Sequence, residues 1–439
     1  MRYKFDPDQR NIYPGSTASR AQIGYFSSQA HASNMKLLIY SHYFAPSVGG
    51  VESIVQSLAA GIAELRTANG DREFNVTVVT ETPAGSCDDT KFPFRLVRRP
   101  GTMRLWQLVR ASDVIHAAGP AFLPMFLAWL SRKRFVVEHH GYQATCPNGL
   151  FVHQPERSIC PGHFQAGRYG ECFRCLRAEF SSRTTAARLL AFMFPRDWLA
   201  RAATTNVAVT GHVDLRQKLP HTKVVYHGIE DRLPNPDQPI PSQKLRIAYV
   251  GRLVPEKGIP VLLEAGKILK AEGCDFEIRI IGDGSERAKL QEIIRRDHLE
   301  PFTSITGFLT GDAFERALQD ISVVVMPSTC EETAGLAAIE QMMDGHLVIA
   351  ADIGGLTEVV GDTGLKFVPG NAASLADCLR TIIENPALIG SFGEKARSRA
   401  LQMFPRSKML TEHAQIYRQA ELSPSKKEQE GINQRINQR

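Results

Sequence analysis

Long apolar runs are missing from this chain of 439 residues, and tryptophan is scarce, at three. A membrane-spanning helix needs about eighteen or more consecutive apolar residues. The nearest stretch, Ala121 to Leu130, is short, holds Pro124 and runs into Arg132, Lys133 and Arg134, which excludes it as a span. Residues 1–34 are polar and have no apolar centre of the kind an export signal carries, so no export is expected. They read as a disordered leader, with Met35 a candidate start and a cytoplasmic location the expectation. Charge of one sign is also lacking. A net charge of +6 favours anionic partners but does not choose among phosphates, nucleic acid and a membrane surface. Eight cysteines in an unexported chain point to reduced thiols or a metal, not to a disulfide framework.

What is present is a soluble globular composition, 43% apolar and 22% charged, long enough for two cores. Short Val- and Ile-rich runs alternate with helical patterns. Strands are expected at Lys36 to Tyr40, Asn75 to Thr80, Phe94 to Arg98, Asp113 to Ala117, Arg134 to Glu138 and Asn206 to Val209, with a helix from Val51 to Leu65. Continuous apolar strands suit a parallel sheet buried on both faces. A second series follows at Leu245 to Val250, Glu277 to Ile281, Ser322 to Met326 and Leu347 to Ala350, after a four-proline stretch from Pro234 to Pro241. The fold class is therefore α/β, with two Rossmann-like, doubly wound parallel-sheet domains at 35–228 and 244–405. A Pro-rich linker at 229–243, a C-terminal helix at 406–421 and a disordered tail at 422–439 complete the chain. Ligands of such folds bind at the carboxyl ends of the strands, and the activity has to be read from the residues there.

The clearest chemistry follows the strand ending at Met326. Glu332 and Glu340 flank Gly335, where a helix can begin and offer free N–H groups to a diphosphate. Two carboxylates there can accept hydrogen bonds from sugar and ribose hydroxyls, although an acidic loop before an amphipathic helix would look the same. The strand ending at Val250 leads into Gly251, Arg252, Lys257 and Gly258, a cationic clamp for a leaving diphosphate or else two solvated charges. Glycine turns at Gly282 to Gly284 and at Gly307 complete the set, with Gly49 and Gly50 after the first strand, where a backbone without side chains can approach phosphates. His140 and, more weakly, His116 stand at strand ends.

Taken in order, Gly49 to Glu52, Gly251 to Gly258, Gly282 to Gly284, Gly307, Glu332 to Glu340, Gly345 and Gly354 to Glu358 resemble the retaining glycosyltransferases of family four, which have the GT-B fold. The resemblance implies that Arg252 and Lys257 hold the donor pyrophosphate and Glu340 the ribose. Glu332 contacts the transferred sugar, the amides near Gly335 and Leu336 meet the phosphates, and His140 lies beside the sugar. Gly50 and Gly307 border the donor. It further implies a hexose-type sugar from a UDP- or GDP-sugar, a glycan, lipid-linked or small-molecule acceptor, a role in polysaccharide biosynthesis, no nucleic-acid partner and no cofactor for transfer. Thr333-Ala334 and Leu356 depart from frequent family residues, which bears on the choice of sugar.

Cys146, Cys160, Cys172 and Cys175 form a second constellation. Cys172-Phe-Arg-Cys175 is a chelating pair, so the four either complete a structural zinc site or are reduced thiols in a loop. A subset of the family shares a cysteine-rich insertion here, which implies a zinc that orders the loop over the acceptor. Two basic, apolar stretches, Ala121 to Arg134 and Arg183 to Arg201, suit a peripheral contact at the inner face of a membrane. They suit equally helices packed on a sheet, and Pro195 argues against one long helix in the second. Rival readings on the same architecture are an epimerase, a phosphorylase or a non-catalytic partner subunit.

Overall fold

Two parallel sheets organise the protein. The structure, a computed structural model, describes residues 34–85, 87–180, 182–231 and 244–422. The first part runs β1 (Met35–Ser41), α1 (Gly50–Glu64), β2 (Phe74–Thr80), β3 (Arg95–Arg98), α2 (Thr102–Ala111), β4 (Val114–Ala118), α3 (Phe122–Leu130) and β5 (Arg134–His139). An insertion follows, with β6 (Val152–His153), β7 (Ser158–Ile159) and α4 (Tyr169–Glu179). Then come α5 (Arg183–Arg201), β8 (Thr205–Ala208), α6 (Gly211–Gln217) and β9 (Thr222–Val224). The seven long-sheet strands lie in the order β3-β2-β1-β4-β5-β8-β9. The expected leader, the proline stretch and the tail after Leu422 fall outside the described residues.

The second part holds β10 (Leu245–Val250), α7 (Ile259–Ala271), β11 (Phe276–Ile281), α8 (Arg287–Arg296), β12 (Thr303–Gly307), α9 (Gly311–Leu318) and β13 (Val323–Met326). It continues with α10 (Leu336–Met343), β14 (Leu347–Ala351), α11 (Gly354–Val360), β15 (Leu365–Phe367), α12 (Ala372–Glu384), α13 (Ala387–Met403) and α14 (Arg406–Leu422). Its sheet order is β12-β11-β10-β13-β14-β15. Both sheets are parallel throughout and buried on both faces. In β1, Leu37 and Ile39 enter one core with α1, while Leu38 and Tyr40 enter another with α2 and α3. In β10, Ile247 and Tyr249 divide from Ala248 and Val250 in the same way. Each such buried Leu, Ile or Val side chain contributes about 1.5–3 kcal/mol of transfer free energy, which explains why these strands read as unbroken apolar runs.

The short strands β9, β12 and β15 were not among those expected. In β12 exposed and half-buried residues alternate, so the apolar run that marks a central strand is missing. A second difference concerns Pro195, which lies inside a single continuous helix, α5. A proline in a helix interior costs about 3 kcal/mol. Packing on either side of it holds the helix together, since Phe192 meets Phe122 at 4.8 Å and Trp198 meets Trp129 at 4.9 Å between ring centroids. Finally, α14 leaves the second sheet and packs on the first, where Met409, Ala414, Ile416 and Tyr417 share a core with Leu37, Ile39 and Val136.

In each sheet the strand order reverses beside its first strand, between β1 and β4 and between β10 and β13. A reversal leaves a crevice outside the carboxyl ends of the strands. The loops after β1, β10 and β13 therefore line two such crevices, and they carry the glycines and charges singled out in the sequence.

Candidate active site

Helix α10 begins at Gly335, whose φ of +62° and ψ of +53° lie in the left-handed region, where other residues pay a steric cost. Any side chain there would also start 2.4 Å from Leu356 Cδ2. The loop before it is held from beneath by Gly354, at φ +62°, where an added Cβ would lie 2.7 Å from the Glu332 nitrogen. The Gly355 N–H donates to the Glu332 carbonyl at 2.6 Å. Gly335 is thus dictated by its left-handed backbone, and Gly354 also by close backbone packing against Glu331 and Glu332.

That residue meets Lys257, which comes from the loop after β10, with Nζ and Oε2 2.9 Å apart and the Glu332 side chain only 9% exposed. The Ser328 hydroxyl donates to the other carboxylate oxygen. Burial opposes ionisation of Glu332, but Lys257, Ser328 and the nearby Arg252 outweigh it and hold its carboxyl below the ordinary value. Arg252 itself is exposed, and its carbonyl accepts from the Tyr249 hydroxyl at 2.8 Å. Glu340 lies in the second turn of α10, half-buried, one i,i+4 step from Leu336 and hence on the same helix face. A Cβ on Gly50 would come within 3.1 Å of Leu336 Cδ2, so the N-termini of α1 and α10 meet across the two sheets. Gly307 ends β12, and its carbonyl accepts from the Gly282 N–H at 2.9 Å. The structure thus brings Glu332 to Lys257 and Leu336 to Gly50, with Arg252 close enough to influence the carboxylate.

His140 is also beside this loop, but through its backbone. Its carbonyl accepts from the Thr333 hydroxyl at 3.0 Å. Its ring is turned inward and only 6% exposed, with Nε2 3.5 Å from Glu138 Oε2 and Nδ1 3.1 Å from His227 Nε2. His116, the weaker histidine, is fully buried. Its Nε2 lies 3.1 Å from Glu138 Oε2 and its Nδ1 3.0 Å from the Tyr417 hydroxyl. From α14, His413 places Nε2 3.6 Å from Glu138 Oε1. Burial opposes the charge on Glu138, yet these histidines hold its carboxyl well below the usual range. Burial likewise works against a charged His413, but Glu138 and the Met409 carbonyl raise its pKa. The cluster is thus built round one carboxylate, which favours protonation of His413.

Two further groups escaped the sequence reading. The Glu358 carboxylate, on α11, accepts from the Gly211 and His212 N–H groups at 2.8 Å each and from the Tyr226 hydroxyl at 2.5 Å. It caps α6 across the two halves, joined there by the Thr210 hydroxyl donating to the Thr333 carbonyl at 2.6 Å. Arg216 of α6 reaches Glu331 at 2.9 Å and the Cys160 carbonyl at 2.6 Å. The stretch Gly354 to Glu358 had pointed to the first group, but without a role for its carboxylate.

Cys146, Cys160, Cys172 and Cys175 are all buried and line one cavity of ≈ 20 Å³. Burial pushes the Cys146 thiol up to about 11, the Cys172 thiol to about 12, and raises that of Cys175. Among the described residues, three triads bring one ligand atom each to within 4.8 Å of one another: His116, Glu138 and His413; Glu138, His140 and His227; and His153, His163 and Glu171. No helix among the described residues is long and apolar enough to cross a membrane.

Residues 234–399 match the family model described as glycosyl transferases group 1. Among curated relatives, the 2-deoxystreptamine glucosyltransferase of Streptomyces kanamyceticus is 34% identical over 143 residues, 32% of this chain and 37% of that protein. The alpha-D-kanosaminyltransferase of the same organism is 29% identical over 175 residues, 39% and 45% of the two chains. The chain thus spans less than half the length of these relatives. Among solved structures, Anabaena HepE in complex with UDP and glucose has a TM-score of 0.65 at 20% identity, over 87% of this chain and 99% of that one. Sucrose-phosphate synthase from Thermosynechococcus elongatus also has a TM-score of 0.65 at 20% identity, over 88% and 98%. At such identities the likeness is one of fold. On these matches the chain has a GT-B fold, and its residues 234–399 are similar to glycosyl transferases group 1.

Proposed function

We propose that the protein is a retaining glycosyltransferase of family four that moves a hexose-type sugar from a UDP- or GDP-sugar to a glycan, lipid-linked or small-molecule acceptor. The observation that carries this reading is the half-buried Lys257–Glu332 pair, 2.9 Å apart, on the two switch-point loops at the N-terminus of α10. Lys257 and Arg252 neutralise the diphosphate, helped by the free amides of α10 and their helix dipole. Glu332, already ionised, accepts hydrogen bonds from the sugar hydroxyls as Lys257 turns to phosphate. Glu340 takes the ribose hydroxyls, and Gly50 lets the first sheet's loop close on the donor. His140 acts through the loop that its carbonyl anchors, since its ring faces inward.

As the bond between the anomeric carbon and the phosphate oxygen breaks, an acceptor hydroxyl enters on the same face. Its proton passes to the departing phosphate oxygen, and the configuration is kept. Anabaena HepE was solved with UDP-glucose, which supports a uridine donor as the first to try. The acceptor is placed on the first-sheet side. There Phe192, Phe194 and Trp198 are exposed, the last by 48%, beside Arg188, Arg196 and Arg201. This face suits a peripheral contact with anionic lipid and a location at the inner side of a membrane.

The test is calorimetric titration with UDP- and GDP-sugars alongside an assay for released nucleoside diphosphate. Lys257→Ala and Glu340→Ala should each weaken donor binding by tenfold or more, about 1.4 kcal/mol or above, with the fold retained. Donor titrations that match the parent protein in either variant would remove that residue from the site.

A further inference from the structure

The insertion between β5 and α5 gathers, beyond His140, an unusual set of groups. His153 ends β6, His163 follows β7, and Glu171 lies in the first turn of α4. One ligand atom from each lies within 4.8 Å of the others. His153 is 6% exposed, and its Nε2 stands 3.6 Å from Glu171 Oε2. Neither that Nε2 nor His163 Nδ1 has a hydrogen-bond partner, although both atoms are buried. A buried polar atom left unpaired destabilises the fold.

The surroundings show what would satisfy them. His153 Nδ1 lies 2.9 Å from Glu156 Oε2, and a carboxylate can only accept, so Nδ1 carries the proton. In the neutral imidazole Nε2 then turns a lone pair toward the Glu171 carboxylate, and the two repel unless a cation stands between them. A carboxylate behind a histidine is the usual outer support of a metal-binding imidazole. Arg174 pairs with the same Glu171 oxygen, at 2.6 Å, and fixes the carboxylate beside His153. Ligand atoms about 2.0–2.1 Å from a zinc ion stand about 3.3 Å apart across a tetrahedral angle, close to the 3.6 Å between His153 Nε2 and Glu171 Oε2. His153 and His163 also line the ≈ 20 Å³ cavity, room for one water-sized occupant.

The four thiols wall this cavity, and two of them are already engaged. Cys146 Sγ donates to Asn148 Oδ1 at 3.0 Å. Cys175 Sγ accepts from the Gln154 N–H at 3.3 Å and donates to the Val152 carbonyl at 3.6 Å. We propose that the insertion is a zinc site whose ligands are His153, His163 and Glu171. The ion staples β6, the turn after β7 and α4 together. That segment carries Cys160, whose carbonyl receives Arg216, and Arg216 in turn pairs with Glu331, the neighbour of Glu332.

The test is elemental analysis of the full chain purified without chelator, and it does not depend on transferase activity. The expected result is about one zinc per chain. His163→Asn and Glu171→Gln should each lose it, and Cys172→Ser with Cys175→Ser should keep it. Replacement of zinc by cobalt in the unaltered chain should give visible ligand-field absorption without a near-ultraviolet thiolate-to-cobalt band, a readout that needs no variant to fold. Absence of metal, zinc kept by both ligand variants, or a thiolate band would each overturn the assignment. Donor binding by a metal-free protein would sink this proposal alone, and a zinc-loaded protein that binds no nucleotide would sink the transferase reading alone.

Discussion

Removing the imidazole of His413 should unfold the first sheet far more easily than any surface change. His413 is the histidine whose protonation Glu138 favours; Glu138 is 0% exposed, and their atoms are 3.6 Å apart. At an effective dielectric of about 20 that separation corresponds to roughly 4–5 kcal/mol. Breaking a buried ion pair by deleting one partner costs about 3–5 kcal/mol, so the two figures agree. His413→Ala is therefore expected to lose about 3–5 kcal/mol. The neutral double variant Glu138→Gln with His413→Gln should lose much less, because no bare charge remains inside. Urea unfolding followed by tryptophan fluorescence reads this directly, since Trp106, Trp129 and Trp198 lie on α2, α3 and α5 beside the first sheet. If the double variant lost the sum of the two single losses, the coupling argument would be refuted.

Acidity offers a second reading of the same cluster. Glu138 has a folded pKa well below its ordinary value, so its contribution is present above the unfolded pKa and is lost as pH falls. His139 and His227, pressed by burial to about 4 and about 3 from 6.5, act in the same direction. They stay neutral inside while the unfolded chain takes up protons, so stability declines below pH 6.5. His413 runs the other way. Its raised folded pKa gives a contribution complete below the unfolded value and lost as pH rises through the folded one. In His413→Ala the alkaline decline should vanish while the acid decline remains.

Two further outcomes are expected. Glu358→Ala strips the shared acceptor from Gly211, His212 and Tyr226. Hydrogen bonds to a charged group contribute about 1.5–3 kcal/mol, so the radius of gyration should rise in small-angle scattering and donor affinity should fall. A variant unchanged in both would remove the clamp. The protein should sediment with anionic liposomes at low salt and be released at high salt, with Phe194→Ser and Trp198→Ser weakening the effect. Equal recovery in the supernatant with and without anionic lipid would point to a soluble acceptor.

The central strands and the loops after β1, β10 and β13 were legible because their causes are local. A parallel strand covered on both faces needs an unbroken apolar run, as in Leu37 to Tyr40 and Ile247 to Val250. A backbone forced into the left-handed region beside a packed loop needs glycine, as at Gly335 and Gly354. Charges that follow such strands fall at the switch point by topology alone, which is why Lys257 and Glu332 could be named before they were seen to meet.

Other features depend on partners distant in sequence. Nothing near His413 or Tyr417 marks α14 as returning to the first sheet. Its apolar face would suit either sheet, and the buried carboxylate of Glu138 together with the Arg418–Glu73 pair selects the first. The ring of His140 turns inward for the same reason, toward charges brought by β5 and α14. Glu358 caps a helix 146 residues earlier in the chain, a contact with no local periodicity to betray it. In the insertion, the Cys172–Cys175 spacing drew the eye to thiols, whereas folding brought together His153, His163 and Glu171. Sequence determined which segments could be buried and where the chain had to turn. Tertiary structure decided which charges face one another, because the cost of a buried unpaired charge is felt only after distant elements have packed.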